Sequence, residues 1–318
     1  MPKKHRPRFG SLAFWPRKRA ERILSSANWP YIENKTQKEG LLGFICYKTG
    51  MLSILAQDLT PTSMTLNEQI VLPVTVVECP PMKVFAIQFH RKGRVITEVL
   101  ADNLDKELRK RIKLPKEKKA IADINLSEID DVRVICYSKA PYKKTPEICE
   151  IGIKAESAEK KLEIAKSLLG KEINVADVFK ELEVVDIKAV TKGKGFQGPV
   201  KRFGIGLKSH KSEKGRRRPG SLGPWTPKRV SFKAPMAGQV GFFTRTQYNN
   251  QILIAGKKED AEKFNNQIKH FDGYGILRNA FLVIKGSLQG AKKRPLLLTA
   301  AQRAPRKADN YKFLRAIK

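Results

Sequence analysis

The sequence predicts a mainly β fold with an α-rich insertion and long irregular basic extensions. Short runs of β-branched and aromatic residues recur along the chain, and the apolar period changes after residue 101. The 318 residues include 63 Lys or Arg and 31 Asp or Glu, for a net charge of +32. Most of this charge lies in three segments, 1–22, 191–233 and 291–318, so the rest of the chain is a nearly neutral body.

The first part of the body is predicted to form strands. In the third of these, Phe85, Ile87 and Phe89 alternate with smaller or polar residues, the period of a strand with one buried face. Residues 91–94 carry a Gly where a hairpin turn needs positive φ. The strand spacing favours a barrel or a sandwich. The predicted strands are Gly43–Cys46, Val71–Val77, Val84–Phe89 and Val95–Leu100.

Residues 101–180 are predicted to be an α-rich insertion. One helix is expected from apolar residues spaced four apart, and a second from Ser157 to Gly170, with a strand over 132–137 between them. The strand pattern then resumes at 184–190, 251–255 and 281–284. This order indicates one β domain with an insertion, or alternatively two domains. The spaced apolar residues of the first helix are Leu104, Leu108 and Ile112.

The segment from 191 to 237 shows neither the helical nor the strand period of apolar residues. It is rich in glycine, proline, lysine and arginine. Loops of this length are uncommon in compact domains unless they are functional or disordered. With so few apolar side chains the segment cannot form a core, and we expect it to become ordered against an anionic surface.

Residues 193–198 match the glycine spacing of a dinucleotide-binding loop. That interpretation also requires a helix whose N-terminus holds the pyrophosphate, and the continuation predicts none. A flexible backbone that lets basic side chains approach phosphates is the better interpretation. The basic residues concerned are Lys192, Lys194, Lys201 and Arg202, with Arg216, Arg217 and Arg218 further along.

Trp225 is the most informative aromatic residue of this segment. It lies between Pro224 and Thr226, far from any strand period, and therefore has no obvious core to enter. Stacking on a nucleobase is the sharper interpretation, with Phe196, Phe203 and Phe232 as further aromatic positions. We interpret Trp15 as part of a partly packed arm, and Trp29 as an anchor of that arm on the body.

The sequence contains no pattern that indicates catalysis or metal binding. The four histidines are scattered, and the recognised nucleophile, zinc and P-loop motifs do not occur. The four cysteines lie in or beside apolar runs without a CxxC pair, so we expect buried free thiols. No run reaches the roughly 18 apolar residues of a membrane helix, and the N-terminus does not suggest a secretory signal.

Four stretches resemble one known family. They are residues 7–20 of the basic arm, Gly43–Met51, Val76–Pro81 with its closing Pro pair, and Val190–Gly198 followed by Lys201-Arg202 and, further on, Trp225. Their order and spacing are similar to the ribosomal protein L3 family of the large subunit, in its archaeal or eukaryotic form, over essentially the whole chain.

The resemblance implies a six-stranded closed β-barrel of the type found in translation proteins, with its arm and long loop buried in ribosomal RNA. It also implies early assembly and a loop that reaches toward the peptidyl-transferase centre. Within this interpretation the chain divides into a basic arm (1–38), a first barrel part (39–100), the insertion (101–180), a barrel strand (181–190), the RNA-penetrating loop (191–237), a last barrel part (238–290) and a basic C-terminal tail (291–318).

The predicted RNA contacts come from the arm and the loop. The partners expected are large-subunit ribosomal RNA and neighbouring ribosomal proteins in the cytoplasmic ribosome, with no membrane, cofactor or small-molecule substrate. The contact residues are Arg8, Arg17, Lys18, Arg19, Lys192, Lys194, Phe196, Gln197, Lys201, Arg202, Arg216, Arg217, Arg218, Trp225, Lys228 and Arg229.

Two other classes also account for the charge. An architectural DNA-binding protein would use similar basic arms, although no dimer feature is visible in the sequence. An RNA-modifying enzyme would need a nucleophile, a metal set or a cofactor loop, and it ranks last.

Overall fold

A computed structural model describes residues 10–115, 119, 129–306 and 309–317. It divides into two compact units. The first, here called the extension unit, comprises residues up to 21 together with 190–244. The second, the body, comprises residues 22–189 and 245–318. Predicted contact residue Arg8 lies outside the described residues.

The described residues contain fifteen strands, five α-helices and one 3₁₀ turn. The helices are α1 (Trp29–Lys35), α2 (Ala158–Leu168), α3 (Val175–Val178), α4 (Pro199–Phe203) and α5 (Asp260–Ile268), with the 3₁₀ turn at Lys106–Lys110. The strands are β1 (Gly40–Leu41), β2 (Gly43–Asp58), β3 (Gln69–Glu78), β4 (Met82–Arg91), β5 (Arg94–Leu100), β6 (Asp131–Ser138), β7 (Ile148–Lys154), β8 (Glu172–Ile173), β9 (Val184–Val190), β10 (Gly193–Gln197), β11 (Gly238–Gly241), β12 (Thr244–Gly256), β13 (Phe281–Lys285), β14 (Pro295–Ala300) and β15 (Tyr311–Ile317).

The larger sheet of the body has the strand order β14-β9-β12-β13-β3-β2-β15, and β14 pairs with β2 as well as with β9. The long strand β2 pairs with different strands along its length. Its first half pairs with β14 and its second half pairs with β15. Strand β14 is buried along its whole length, because its leucines enter the core.

The second sheet has the order β1-β7-β6-β4-β5, with β8 paired to β4. The turn predicted at 91–94 joins β4 to β5, where Arg91 pairs with Arg94. Lys92 and Gly93 both have positive φ, at 49° and 75°, as a two-residue hairpin turn requires. Strands β4 and β5 therefore belong to this sheet rather than to the sheet built on β2.

Trp29 anchors the N-terminal segment of the body in its main core. It is 3% exposed and lies on α1, whose Asn28 cap accepts a hydrogen bond from the Tyr31 amide. Its indole fills the space left by two glycines: a Cβ at Gly43 would lie 2.6 Å from the ring, and one at Gly152 would lie 2.9 Å from the Trp29 Cβ. The sequence interpretation of Trp29 as a structural residue is confirmed.

The mainly β prediction is confirmed, and the predicted strands all fall within observed ones. The four cysteines are buried and free. The helix predicted from Ser157 is also present, with the Ser157 hydroxyl accepting from the Lys160 amide.

For the described residues of 101–180, the predicted α-rich character is wrong. Two strands, β6 and β7, extend the second sheet through it, and the helix expected over 104–112 is only the 3₁₀ turn. The apolar spacing there has another cause: Leu108 is buried against Phe85 and Tyr137, with Leu104 and Ile112 packed alongside. The irregular basic tail predicted for 291–318 is likewise corrected, because β14 and β15 are strands with basic residues around them.

Candidate nucleic-acid interface

A short hairpin forms the base of the cationic loop. Strands β10 and β11 pair antiparallel, with Gln197 opposite Gly238 and a bulge between Gly193 and Phe196. Gly241 is required here, since its φ is +67° and a Cβ would lie 2.0 Å from the Lys192 carbonyl oxygen. The loop thus leaves and returns through a fixed pair of strands.

A single helical turn, α4, follows the hairpin strand β10. It runs from Pro199 to Phe203 and is capped by Gly204, whose left-handed φ of 63° ends the turn. The sequence interpretation expected no helix after the glycine-rich stretch, so this turn corrects it. With five residues, the helix is too short to provide the extended N-terminus of a dinucleotide site.

Phe203 is the centre of a small cluster that joins the arm to the loop base. Its side chain is buried, with the guanidinium carbons of Arg17 and Arg202 each 5.1 Å from its ring centroid. Gly10 also lies against the ring, because a Cβ placed on Gly10 would be 3.2 Å from the nearest ring carbon of Phe203. Phe203 is therefore not available as an exposed aromatic contact, which corrects the sequence interpretation.

Arg202 is bound to the protein itself. Its Nη1 donates to the Met236 carbonyl at 3.0 Å, and its Nε donates to the Gln239 carbonyl at 3.2 Å. Burial, together with the positive charge of Arg17, lowers the pKa of Arg202. The arginine is half-buried and organises the loop base, a role that no sequence pattern indicated.

Beyond α4 the loop is irregular and exposed. Lys208 and Arg216 close a turn, because the Lys208 amide donates to the Arg216 carbonyl at 3.1 Å and the Arg216 Nε donates to the Lys208 carbonyl at 3.4 Å. Arg217 and Arg218 follow as exposed residues. Glu213 is the one acidic residue between 191 and 233, so positive charge dominates this surface.

Trp225 has no core contact and is 84% exposed. The Lys228 ammonium lies 5.8 Å from its ring centroid, which places a cation beside a free aromatic face. Phe196 is similarly open at 75%. Phe232 instead packs against Trp15 of the arm, with the two ring centroids 5.0 Å apart.

The remaining predicted contacts are distributed over the same unit. Lys18 makes an exposed ion pair with Glu21 at 3.0 Å. Gln197 donates from Nε2 to the Lys194 carbonyl at 2.7 Å. Leu207 and Val230 are about half exposed and were not singled out, because isolated apolar residues in a period-free segment give no signal. The exposed predicted residues also include Arg19, Lys192, Lys194, Lys201, Lys228 and Arg229.

Within the described part of the chain, no group of three or more His, Cys, Asp or Glu residues is arranged to hold a metal ion. None of the described helices is long and apolar enough to cross a membrane.

The β-rich body and the exposed cationic unit define a class of protein, one that presents irregular basic extensions to a polyanion. The ribosomal protein L3 family model matches residues 1–314. Large ribosomal subunit protein uL3 of Methanocaldococcus jannaschii is 42% identical over 315 residues, covering 94% of this chain and 92% of the relative. The protein of that name from Archaeoglobus fulgidus is 39% identical over 321 residues, covering 96% and 94%. The chain belongs to the ribosomal protein L3 family. Family membership confirms the interpretation as a ribosomal protein rather than an enzyme.

Proposed function

We propose that this protein is a structural constituent of the large ribosomal subunit that binds and organises large-subunit ribosomal RNA. The observation that carries the proposal is the extension unit: an exposed, cationic, irregular surface on a chain of a ribosomal protein family. Its site of action is the cytoplasmic ribosome, with neighbouring ribosomal proteins as further partners.

The basic residues of the extension unit neutralise phosphates, and its open aromatic rings contact bases. Arginine suits phosphate because its planar fork binds two oxygens at once. Arg17 and Arg202 are only partly buried, so both remain in the proposed contact set. The proposed phosphate contacts are Arg8, Arg17, Lys18, Arg19, Lys192, Lys194, Lys201, Arg202, Arg216, Arg217, Arg218, Lys228 and Arg229, and the proposed base contacts are Phe196, Gln197 and Trp225.

The finer architecture is also part of the proposal. Six strands, taken as β2, β3, β13, β12, β9 and β14, form the closed barrel of the family. The double pairing of β14 with β2 and β9 supports this closure. In the assembled particle the arm (1–38) and the loop (191–237) penetrate RNA. Assembly is early, and the loop tip at Trp225 reaches toward the peptidyl-transferase centre, as the family resemblance implies.

Sedimentation of a host-cell lysate through a high-salt gradient, with and without RNase, tests the proposed function. The protein should travel with the large subunit and leave that position after RNase treatment. A protein that stays at the top of the gradient, or follows DNA, would overturn the proposal. A competition titration of purified protein separates the DNA alternative, because structured large-subunit RNA should displace duplex DNA at equal phosphate concentration.

A further inference from the structure

The body contains a cavity of about 390 Å³ that lies apart from the cationic loop in sequence. It is bounded by residues 22–27, by Arg111 and Ile112, and by residues 147–150 at the start of β7. Its walls include apolar groups such as Trp29 and Ile148. The volume falls at the lower end of the roughly 300–1,000 Å³ typical of sites for small organic groups.

Ser25 lines this cavity and has a buried hydroxyl group without a hydrogen-bond partner among the described residues. The residue is 5% exposed. A buried hydroxyl with no partner is costly, and native proteins rarely keep one. A rotation about the Ser25 χ1 would bring the hydroxyl to the cavity surface, where a polar group of a ligand would satisfy it.

Two arginines line the same cavity. Arg22 and Arg111 make no ion pair with any residue that the structure describes, and Arg22 is exposed to solvent. The two acidic residues nearby are already paired, Glu147 with Lys143 and Glu150 with Arg133 at 2.6 Å. The uncompensated charge at the cavity is therefore positive.

We propose that this cavity binds one unpaired nucleotide of the RNA, with the base inside and the phosphate on Arg22 and Arg111. The apolar wall receives the base, and the Ser25 hydroxyl bonds to a polar edge of that base. Unpaired bases splayed from RNA are recognised in this way, by apolar contact together with hydrogen bonds to their edges. The inference rests on the proposed RNA-binding function, but it assigns a second, body-based contact that can fail independently.

The first test is a titration of the full-length protein with each of the four nucleoside 5′-monophosphates. Carrying it out in a Trp15→Phe, Trp225→Phe background leaves Trp29, which lines the cavity, as the one tryptophan reporter. At least one nucleotide should change Trp29 emission saturably, and should bind more tightly than its nucleoside or inorganic phosphate. Inorganic phosphate binding as tightly as every nucleotide would overturn the proposal.

Variants of the protein test which residues are responsible for nucleotide binding in this titration. Arg22→Ala with Arg111→Ala should weaken nucleotide binding at least about ten-fold, because each removes charge-assisted hydrogen bonds, whereas exposed Arg109→Ala should not. Ser26→Phe, which fills the cavity at unchanged charge, should abolish the response. Ser25→Ala should weaken binding without lowering the melting temperature of the free protein, a combination that a purely structural role would not give.

The second test uses assembled large subunits that carry Ile23→p-benzoylphenylalanine, at a half-exposed cavity position. Photocrosslinking should give an RNA adduct, and a crosslink to protein alone would overturn the proposal in favour of a protein partner. If no nucleotide binds while large-subunit RNA still binds the full chain, the cavity proposal alone fails. If RNA binding is also absent, the proposed function fails with it.

Discussion

Two tryptophans, one in each unit, have similar local sequences and opposite environments. Trp29 precedes a proline and is 3% exposed in the body, whereas Trp225 follows a proline and is 84% exposed in the extension unit. In the body, two glycines, one on a strand of each sheet, leave a space that the indole fills. In the loop, the neighbouring backbone has no strand or helix that could form such a space.

The comparison shows that the surrounding backbone, more than the aromatic residue, determines whether a tryptophan stabilises the protein or remains open to a ligand. A body built from paired strands surrounds Trp29 with its core. A loop of glycine, proline and cations cannot surround Trp225, and its ring remains open. The two units therefore respond to different perturbations.

The largest expected effect is on the body. Trp29→Ala should lower the free energy of unfolding by about 3–5 kcal/mol, because it removes a buried indole and leaves a cavity. Trp15→Ala and Trp225→Ala are matched controls and should each stay within about 0.5 kcal/mol of the parent. Urea unfolding followed by far-ultraviolet circular dichroism measures all three. Equal losses of unfolding free energy at the three positions would contradict the difference between the buried and the exposed tryptophans.

The next effect concerns the loop as a whole. Because Gln197 pairs with Gly238, a two-residue Asn-Gly turn can replace residues 198–237 and still connect β10 to β11, although it removes Arg202 and Phe203 together with the loop. The unfolding of the body should be unchanged. RNA affinity should fall on the order of 10²–10³-fold near 0.15 M salt, and the log–log salt slope should become shallower by roughly 0.7–0.9 for each phosphate that the shortened protein no longer neutralises.

A matched variant retains the length of the loop but replaces its Lys and Arg residues over 198–237 with Gln. It should lose a similar amount of affinity if charge is responsible. Unchanged affinity in both variants, measured by filter binding over a salt series, would mean that the body carries the main RNA contact.

A smaller effect is expected at the loop tip. Trp225→Ala should weaken RNA binding by about 1–3 kcal/mol, the usual contribution of one base–aromatic stack, while Trp225→Phe should retain part of it. Leu207→Ala is the control, since Leu207 is another exposed apolar residue of the same loop. If Leu207→Ala and Trp225→Ala weaken binding equally, stacking is not the contribution of Trp225.

The smallest effect is a pH dependence in the body. Burial of His90, and then the nearby charge of Arg133, lower its pKa, against the opposing charges of Glu150 and Asp131. His90 of the unfolded chain takes up a proton near the ordinary histidine pKa of about 6.5, whereas His90 of the folded chain takes it up only at lower pH, so stability should decrease as pH falls from 7 toward 5. His90→Gln should flatten this dependence in urea titrations. The exposed His270→Gln control should keep it.

The sequence predicted the strands of the body well because Val, Ile and Phe alternate or cluster in them. It missed β14, whose leucines stand between basic residues, since the charge pattern suggested a tail. It also misinterpreted the spacing around Leu108, because apolar residues four apart can pack on a sheet from a 3₁₀ turn as well as from an α-helix.

In the candidate interface, the exposure of Trp225 and Phe196 could be predicted from glycine and proline neighbours. The burial of Phe203 could not, because its partners Gly10 and Arg17 come from the distant arm. The role of Arg202 was also hidden, since its acceptors are backbone carbonyls that carry no sequence signature.

Strand β14 has a consequence for synthesis. Its Leu296 contacts Cys46 of β2 across 250 positions, so the larger sheet acquires this strand only when translation is nearly complete. The cationic loop is made earlier, and it emerges while β2 is without β14. During that interval the nascent chain exposes a polycation while the sheet is still incomplete, and chance capture by any nearby RNA competes with folding.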